Sequence, residues 1–276
     1  MNYSILQNLP LKTANSRKLK GILRFLTYIK MAHGPGTAKL LSRISAIKNN
    51  SLNVYGLKIT SLPELPDSLE YLNCSYTNIT ELPELPKTLT YLYCENTNIS
   101  VLPELPKTLT HLDCNHTKIS ILPELPKTLK MLLCYNTQLS VLPELPKTLK
   151  ELYCKNTNIS VLPELPKTLK ALSCSNTKIS FLPELPKTLK VLYCGSTKIS
   201  ILPELPKTLT YLICLNTPLK ILRNNGESIY DYNKRWTDWR AEQAYIERCR
   251  EKCWEIRDAL FDAVEFATFS GEFFLE

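Results

Sequence analysis

A solenoid of short parallel strands with a helical cap at each end is the fold class this sequence predicts, and three observations predict it. Eight cysteines, Cys74 to Cys214, recur at intervals of 20 residues. They lie inside a nearly constant unit, LPELPKTLxxLxCxNTxISx, with scarcely an insertion or deletion between copies. Apolar and polar positions alternate around each cysteine, and a segment with two prolines follows. A fixed period of this length denotes stacked repeats, each covering the apolar faces of its neighbours.

Residues 102–121 show how one unit is built. Leu109, Leu112, Cys114 and Ile119 fall on the L-x-x-L-x-L-x-x-N-x-L frame of leucine-rich repeats, with Cys114 in an aliphatic slot and Thr117 in the asparagine slot. The alternation predicts a short strand with Leu112 and Cys114 pointing inward and His111, Asp113 and Asn115 on the opposite, exposed face. Pro103 and Pro106 lack an amide donor and fix φ near the polyproline value, so the back of each coil is expected to be extended. Strands then form the concave face and the LPELP segments the convex one. Burying roughly six apolar side chains at ~1.5 to 3 kcal/mol each does not offset ordering a unit of this length at ~1 to 2 kcal/mol per residue. Neighbours must supply the rest through shared core and strand ladder. An imperfect unit, with Leu52, Val54 and Ile59 in the slots of Leu72, Cys74 and Ile79, brings the array to about nine rungs, or ~40 Å at ~4.8 Å per strand.

Cys74, Cys94, Cys114, Cys134, Cys154, Cys174, Cys194 and Cys214 are assigned to the structural core, where a thiol behaves as a small buried hydrophobe. Side chains in register on parallel strands point the same way and are poorly set for a disulfide dihedral. Zinc-type CxxC spacing is absent. A reducing compartment is the corresponding expectation.

Three segments follow: a basic N-terminal cap over 1–50, the repeat array over 51–222 and a C-terminal cap over 223–276. Residues 1 to 50 hold nine Lys or Arg and no acidic residue, so the net charge of +8 is mostly an N-terminal property. Leu19, Ile22, Leu23, Leu26 and Ile29 recur there at helical spacing among Arg17, Lys18, Lys20, Arg24 and Lys30. A second apolar run, Leu40, Leu41, Ile44 and Ile47, follows the HGPG breaker. The segment reads either as a helical hairpin covering the first rung or as an amphipathic basic helix for anionic membrane or nucleic acid. The tail from Glu227 to about Phe269 carries Ile246, Cys249, Cys253, Ile256, Leu260 and Val264 at three and four spacing, which predicts a helix packed on the last rung.

No apolar run approaches the 18 or more residues of a membrane span, and the N-terminus lacks the pattern of a secretory signal. A soluble, intracellular protein is expected. With seven glycines in the chain there is no phosphate-cradling loop, and Ser and Thr occur without a recognisable His partner. His111, Asp113 and His116 share a rung, but neighbouring rungs add no ligand, so they read as a surface cluster and not a metal site. No catalytic residue, metal, cofactor or small-molecule substrate is expected.

Variation between units is more informative. Core slots barely change, while the outward positions differ: Tyr71, Asn73, Tyr91, Tyr93, His111, Asp113, Met131, Leu133, Tyr135, Glu151, Tyr153, Tyr193, Tyr211 and Ile213. A constant frame with a variable, Tyr-rich face is what a protein-binding scaffold presents, and these residues are its candidate partner-binding set. The alternative is a nucleic-acid or anionic-membrane binder led by the basic N-terminal segment. The repeated Glu104 and Lys107 types make two charge rows, expected to neutralise each other.

The 20-residue LPxLPxxLxxLxxxxNxLxx pattern, over about 62 to 222, resembles the short leucine-rich repeats of bacterial effectors injected into host cells, and similar arrays in amoeba-infecting giant viruses. Cys and Thr stand where those effectors more often carry Val and Asn, which together with abundant Asn, Lys, Ile and Tyr tilts the resemblance toward a giant virus. The resemblance implies binding of a host protein in the host cytoplasm. Effector relatives that are ubiquitin ligases carry a large helical catalytic domain after the repeats, with a reactive cysteine beside an aspartate. Cys249 and Cys253, in IERCREKCWEI, do not reproduce that signature, so ligase activity is not expected.

Overall fold

The computed structural model describes residues 40, 42–44, 50–219 and 229–270. Two compact units divide the chain, Met1–Lys220 and Ile221–Glu276. In the first, nine three-residue strands hydrogen-bond in chain order into one parallel sheet: β1 (Ser51–Asn53), β2 (Tyr71–Asn73), β3 (Tyr91–Tyr93), β4 (His111–Asp113), β5 (Met131–Leu133), β6 (Glu151–Tyr153), β7 (Ala171–Ser173), β8 (Val191–Tyr193) and β9 (Tyr211–Ile213). Each strand pairs with the residues 20 positions on, Leu112 with Leu132 for example.

The strands are short because a turn stands at either end. Upstream, the Leu109 amide donates to the Pro106 carbonyl at 2.9 Å, closing a β-turn over Lys107 and Thr108. Downstream, His116 sits at φ 50° and the matching residue of every rung from Tyr76 to Asn216 is likewise left-handed. Asn fills that corner at 96, 136, 156, 176 and 216, the residue type that tolerates this region best after glycine. The peptide then leaves the sheet plane and runs back through the extended LPELP segment.

Leu109, Leu112, Cys114, Ile119, Leu122 and Leu125 are buried, and the same slots are buried in nearly every rung. The hydroxyl of Thr117 donates to the Cys114 carbonyl at 2.7 Å, so the threonine that replaces the frame's asparagine still satisfies a buried backbone acceptor. Rungs are also stitched outside the sheet. Thr128 Oγ1 lies 2.7 and 2.8 Å from the Lys107 and Leu109 carbonyls of the preceding rung, and the Gln138 amide donates to Ile119 at 2.9 Å. The core thiols follow the same direction, with Cys94 Sγ donating to the Asp113 carbonyl at 3.3 Å.

Cys74 to Cys194 are buried thiols, as expected, whereas Cys214 is only half-buried, as is Leu212. Each inner rung is covered on both sides, and among the described residues no tenth strand pairs with β9. At the other edge Leu40 is buried, and Arg43 Nη1 donates to the Asn53 carbonyl at 2.8 Å. In the next rung the equivalent carbonyl, Asn73, accepts the Val54 amide, so Arg43 supplies the donor that an earlier strand would have given. The predicted helix of Leu19, Ile22, Leu23, Leu26 and Ile29 lies outside the described residues.

The second unit contains α1 (Ile229–Ser270), matching the helix expected from Glu227 to about Phe269. Its expected packed face is not covered where it is described: Cys249 is exposed and Ile246 only half-buried. Near the helix start, by contrast, Tyr232 is fully buried. Among the described residues no helix is long and apolar enough to cross a membrane.

Candidate interaction surface

Each strand offers two outward positions, and the parallel register stacks them into two rows. Adjacent strands lie ~4.8 Å apart, so side chains on this face touch across rungs and largely cover one another. Tyr71, Asn73, Tyr93, His111, Met131, Leu133, Tyr135, Glu151, Tyr153 and Tyr193 are therefore half-buried, while Tyr91, Tyr211 and Ile213 are exposed. Asp113 and Asn115 depart from the expectation of exposure, being 7% and 1% exposed. Asp113 is short and stands in register between two larger residues, Tyr93 and Leu133. Its carboxylate accepts the Asn115 amide at 3.1 Å, pulling the side chain down into an Asx turn.

Across β2 to β4 the rings form a continuous platform. Tyr71 lies 6.1 Å from Tyr91 and 5.5 Å from Tyr93, and Tyr91 stacks on His111 at 4.7 Å with 23° between planes. Such pairs contribute ~0.5 to 1.5 kcal/mol each beyond area burial, so the platform is ordered before any partner arrives. Burial, aided by Lys130, holds the His111 imidazole below its ordinary pKa, and Thr110 Oγ1 lies 2.8 Å from its Nδ1.

A second cluster flanks the strands. His116 meets Tyr135 edge-on at 5.5 Å, and Lys155 Nζ sits 4.8 Å over the same ring. Asn115 Oδ1 accepts the Tyr135 amide at 3.0 Å, whereas its buried Nδ2 has no partner. Burial pushes the Asp113 carboxyl up to about 6, opposed by the Asn115 hydrogen bond and reinforced by Glu95. His111, Asp113 and His116 are not gathered into a ligand set, since the two imidazoles bind different neighbours. Among the described residues no group of three or more His, Cys, Asp or Glu is placed to hold a metal ion.

Past Tyr153 the face changes character, because Ala171 and Ser173 on β7 are buried beneath their neighbours before Tyr193 resumes the aromatic row. The charge rows also differ from expectation. Glu104 and Lys107 types are exposed on opposite sides of a buried Leu-Pro pair, and among the described residues no ion pair links the two rows. Lys107 is carried on the β-turn and Glu104 on the extended back, which keeps the charges apart and solvated.

Two rows went unforeseen. At the left-handed corner the side chains bond along the solenoid: Asn136 Nδ2 with His116 Nε2 at 2.9 Å, Asn156 Nδ2 to Asn136 Oδ1 at 2.6 Å, and Asn176 Nδ2 to Asn156 Oδ1 at 2.7 Å. A shallow depression beside this amide ladder is lined by Thr137, Asn156, Thr157, Asn158, Asn176, Thr177 and Lys178. The sequence signal for this ladder is the Asn two residues after the cysteine in five of the eight units. The second row is apolar: Val101, Ile121, Val141, Val161 and Phe181 all point to solvent.

No protein-family model matches the chain, and no curated protein sequence does either. Solved structures do. YopM from Yersinia pestis, described as a leucine-rich effector protein, superposes with a TM-score of 0.67 at 30% identity over 74% of this chain. The chain is a leucine-rich repeat protein. YopM from Yersinia enterocolitica gives 0.62 at 34% identity over 64% of the chain, and the leucine-rich repeat domain of a Shigella effector gives 0.58 at 27% over 67%. This leucine-rich repeat chain spans 61% and 40% of the two YopM chains and 88% of the Shigella domain. The functional domain of InlJ from Listeria monocytogenes, which includes a cysteine ladder, matches at 0.54 with 26% identity over 63% of this chain and 46% of its own length.

Proposed function

We propose that this leucine-rich repeat protein is a noncatalytic scaffold that binds a partner protein through its strand face, with the platform of Tyr71, Tyr91, Tyr93 and His111 at the centre of the contact. The observation that carries the reading is that platform: four rings ordered on a rigid parallel ladder, with Tyr91 exposed, at positions the core does not need. Aromatic side chains with little rotamer freedom left to lose are the residues that concentrate binding energy at interfaces. Met131, Leu133 and Tyr153 extend the surface toward β6. Likeness to effectors of Yersinia and Shigella supports a partner in a host cell, and by the same reading the protein works in the host cytoplasm.

The test is affinity capture from host-cell lysate with quantitative mass spectrometry, comparing wild type with Tyr91→Ala, Tyr93→Ala, Leu133→Glu and Tyr153→Ala combined. Both proteins are first shown to share one circular dichroism spectrum. A protein recovered by wild type and depleted at least about tenfold by the variant supports the strand face, as expected when hot-spot residues are removed. Equal recovery of every captured protein sinks the reading.

A further inference from the structure

We propose that the apolar row Val101, Ile121, Val141, Val161 and Phe181 is a self-association surface, along which two copies of this chain pair side by side, parallel and in register. These side chains are 52 to 77% exposed. They stand one rung apart, so five of them make an unbroken stripe ~20 Å long, and contiguous apolar surface of this kind on a soluble protein marks a contact site.

The fold does not require the stripe. Burial in this part of each coil is done by the neighbours, Ile99 and Leu102 in the third rung. In the first two rungs the same position, with the same extended backbone, carries Ser61 and Glu81. Extended-chain preference therefore does not account for Val, Ile or Phe in the five rungs that follow.

What flanks the stripe identifies the occupant as a second copy. Following the coil outward from the left-handed corner, the exposed positions of the fourth rung come in the order Lys118, Ser120, Ile121, Glu124. On one side, then, runs a row of Asn98, Lys118, Gln138, Asn158 and Lys178, every member a hydrogen-bond donor and none negative. On the other runs a row of glutamates, Glu104 to Glu184, which only accept. A two-fold axis lying along the stripe exchanges the flanks, so the donor row of each copy covers the glutamate row of the other along both edges. Glu124 meets Lys118 and Glu184 meets Lys178, around a dry apolar centre. A two-fold axis across the stripe would instead set glutamate row on glutamate row. The arrangement is an apolar core with a complementary polar rim, and it is isologous, as most homodimers are. The stripe alone is well short of the ~800 Å² per partner of a standard interface, so both flanking rows are needed and the dimer is weak.

The test is sedimentation equilibrium of the full chain from ~1 to ~500 μM, with wild type compared against Ile121→Glu plus Val141→Glu. Wild type is expected to dimerise across that range and the variant to do so at least tenfold more weakly, with an unchanged melting curve because neither side chain is in the core. Geometry is read separately by diamide oxidation of single cysteines placed in a Cys249→Ser, Cys253→Ser background. Parallel pairing brings each stripe residue onto its own copy, so Val101→Cys and Phe181→Cys should each give a disulfide-linked dimer absent from the background protein. A wild type that stays monomeric, a dimer indifferent to the two glutamates, or cross-linking at Val141→Cys alone would each overturn the proposal.

Discussion

Raising the pH through the range of an ordinary thiol is expected to unfold the repeat array. Cys74, Cys94, Cys114, Cys134, Cys154, Cys174 and Cys194 are buried where a thiolate loses its hydration, and burial drives each thiol upward from its usual 9.0. Cys74 and Cys154 are pushed up to about 12. At about pH 10 some nine in ten thiols of the unfolded chain are ionised while those of the folded array stay protonated, which costs about 1.4 kcal/mol per site. Seven sites together lose about 10 kcal/mol, comparable with the whole stability of an ordinary domain. The sign follows from linkage: these groups have raised folded-state values, so their contribution is complete below about pH 9 and is lost as the pH climbs toward 12. Burial likewise raises Tyr93, Tyr135 and Tyr153, which adds in the same direction. Urea unfolding followed by circular dichroism at about pH 8, 9 and 10, with a phosphine reductant present, gives the slope. The thiols alone should release six to seven protons on unfolding at about pH 10, and Cys134→Ala plus Cys154→Ala should lower the total release by about two. A midpoint that does not move between the first and last pH, or a slope indifferent to the two alanines, would refute the argument.

Three smaller effects are expected. Leu132→Ala empties a fully buried slot and should cost about 2 to 5 kcal/mol in urea unfolding, whereas Leu212→Ala in the half-buried last rung should cost clearly less. Asn156 holds φ at 55° and bonds to both neighbouring rungs, so Asn156→Val should lower the melting temperature more than Asn156→Gly, which loses the amide bonds but keeps the corner. Asp113 is raised to about 6, so its ionisation opposes folding as the pH rises from about 4 through 6. Asp113→Asn keeps an acceptor for the Asn115 amide, and its melting temperature should gain on wild type between those values and hold the gain at neutral pH.

Period and alternation were enough to place every strand, because a 20-residue repeat leaves each side chain one partner above and one below. Leu112 had to meet Leu132, and Cys114 had to face inward. The corner was harder to read. A left-handed backbone at His116 or Asn136 is not encoded by the apolar pattern, and the hydrogen bonds between successive Asn amides exist only once the rungs are stacked. Exposure failed at Asp113 for a related reason: alternation says which way a side chain points, while the sizes of Tyr93 and Leu133 on adjacent strands decide whether water reaches it. The Val101 row stands just outside the leucine frame, where the repeat pattern carries no expectation of burial or exposure. On the strand face the residues were legible and their grouping was not, since only the register shows that Tyr71, Tyr91, Tyr93 and His111 form one surface while Ala171 and Ser173 interrupt it.

Because every inner junction repeats the same bonds, from the Thr128-type hydroxyl between two carbonyls to the Gln138-type amide on the rung behind, the joint between any two rungs is interchangeable with the next. A copy such as 122–141 can be removed, or one added, and the chain closes over the gap with identical joinery. The array can therefore change length by whole repeats without relearning how to fold. What each event alters is the phase between the aromatic strands and those that follow, which makes copy number itself a heritable dial on how far apart two features of the surface stand.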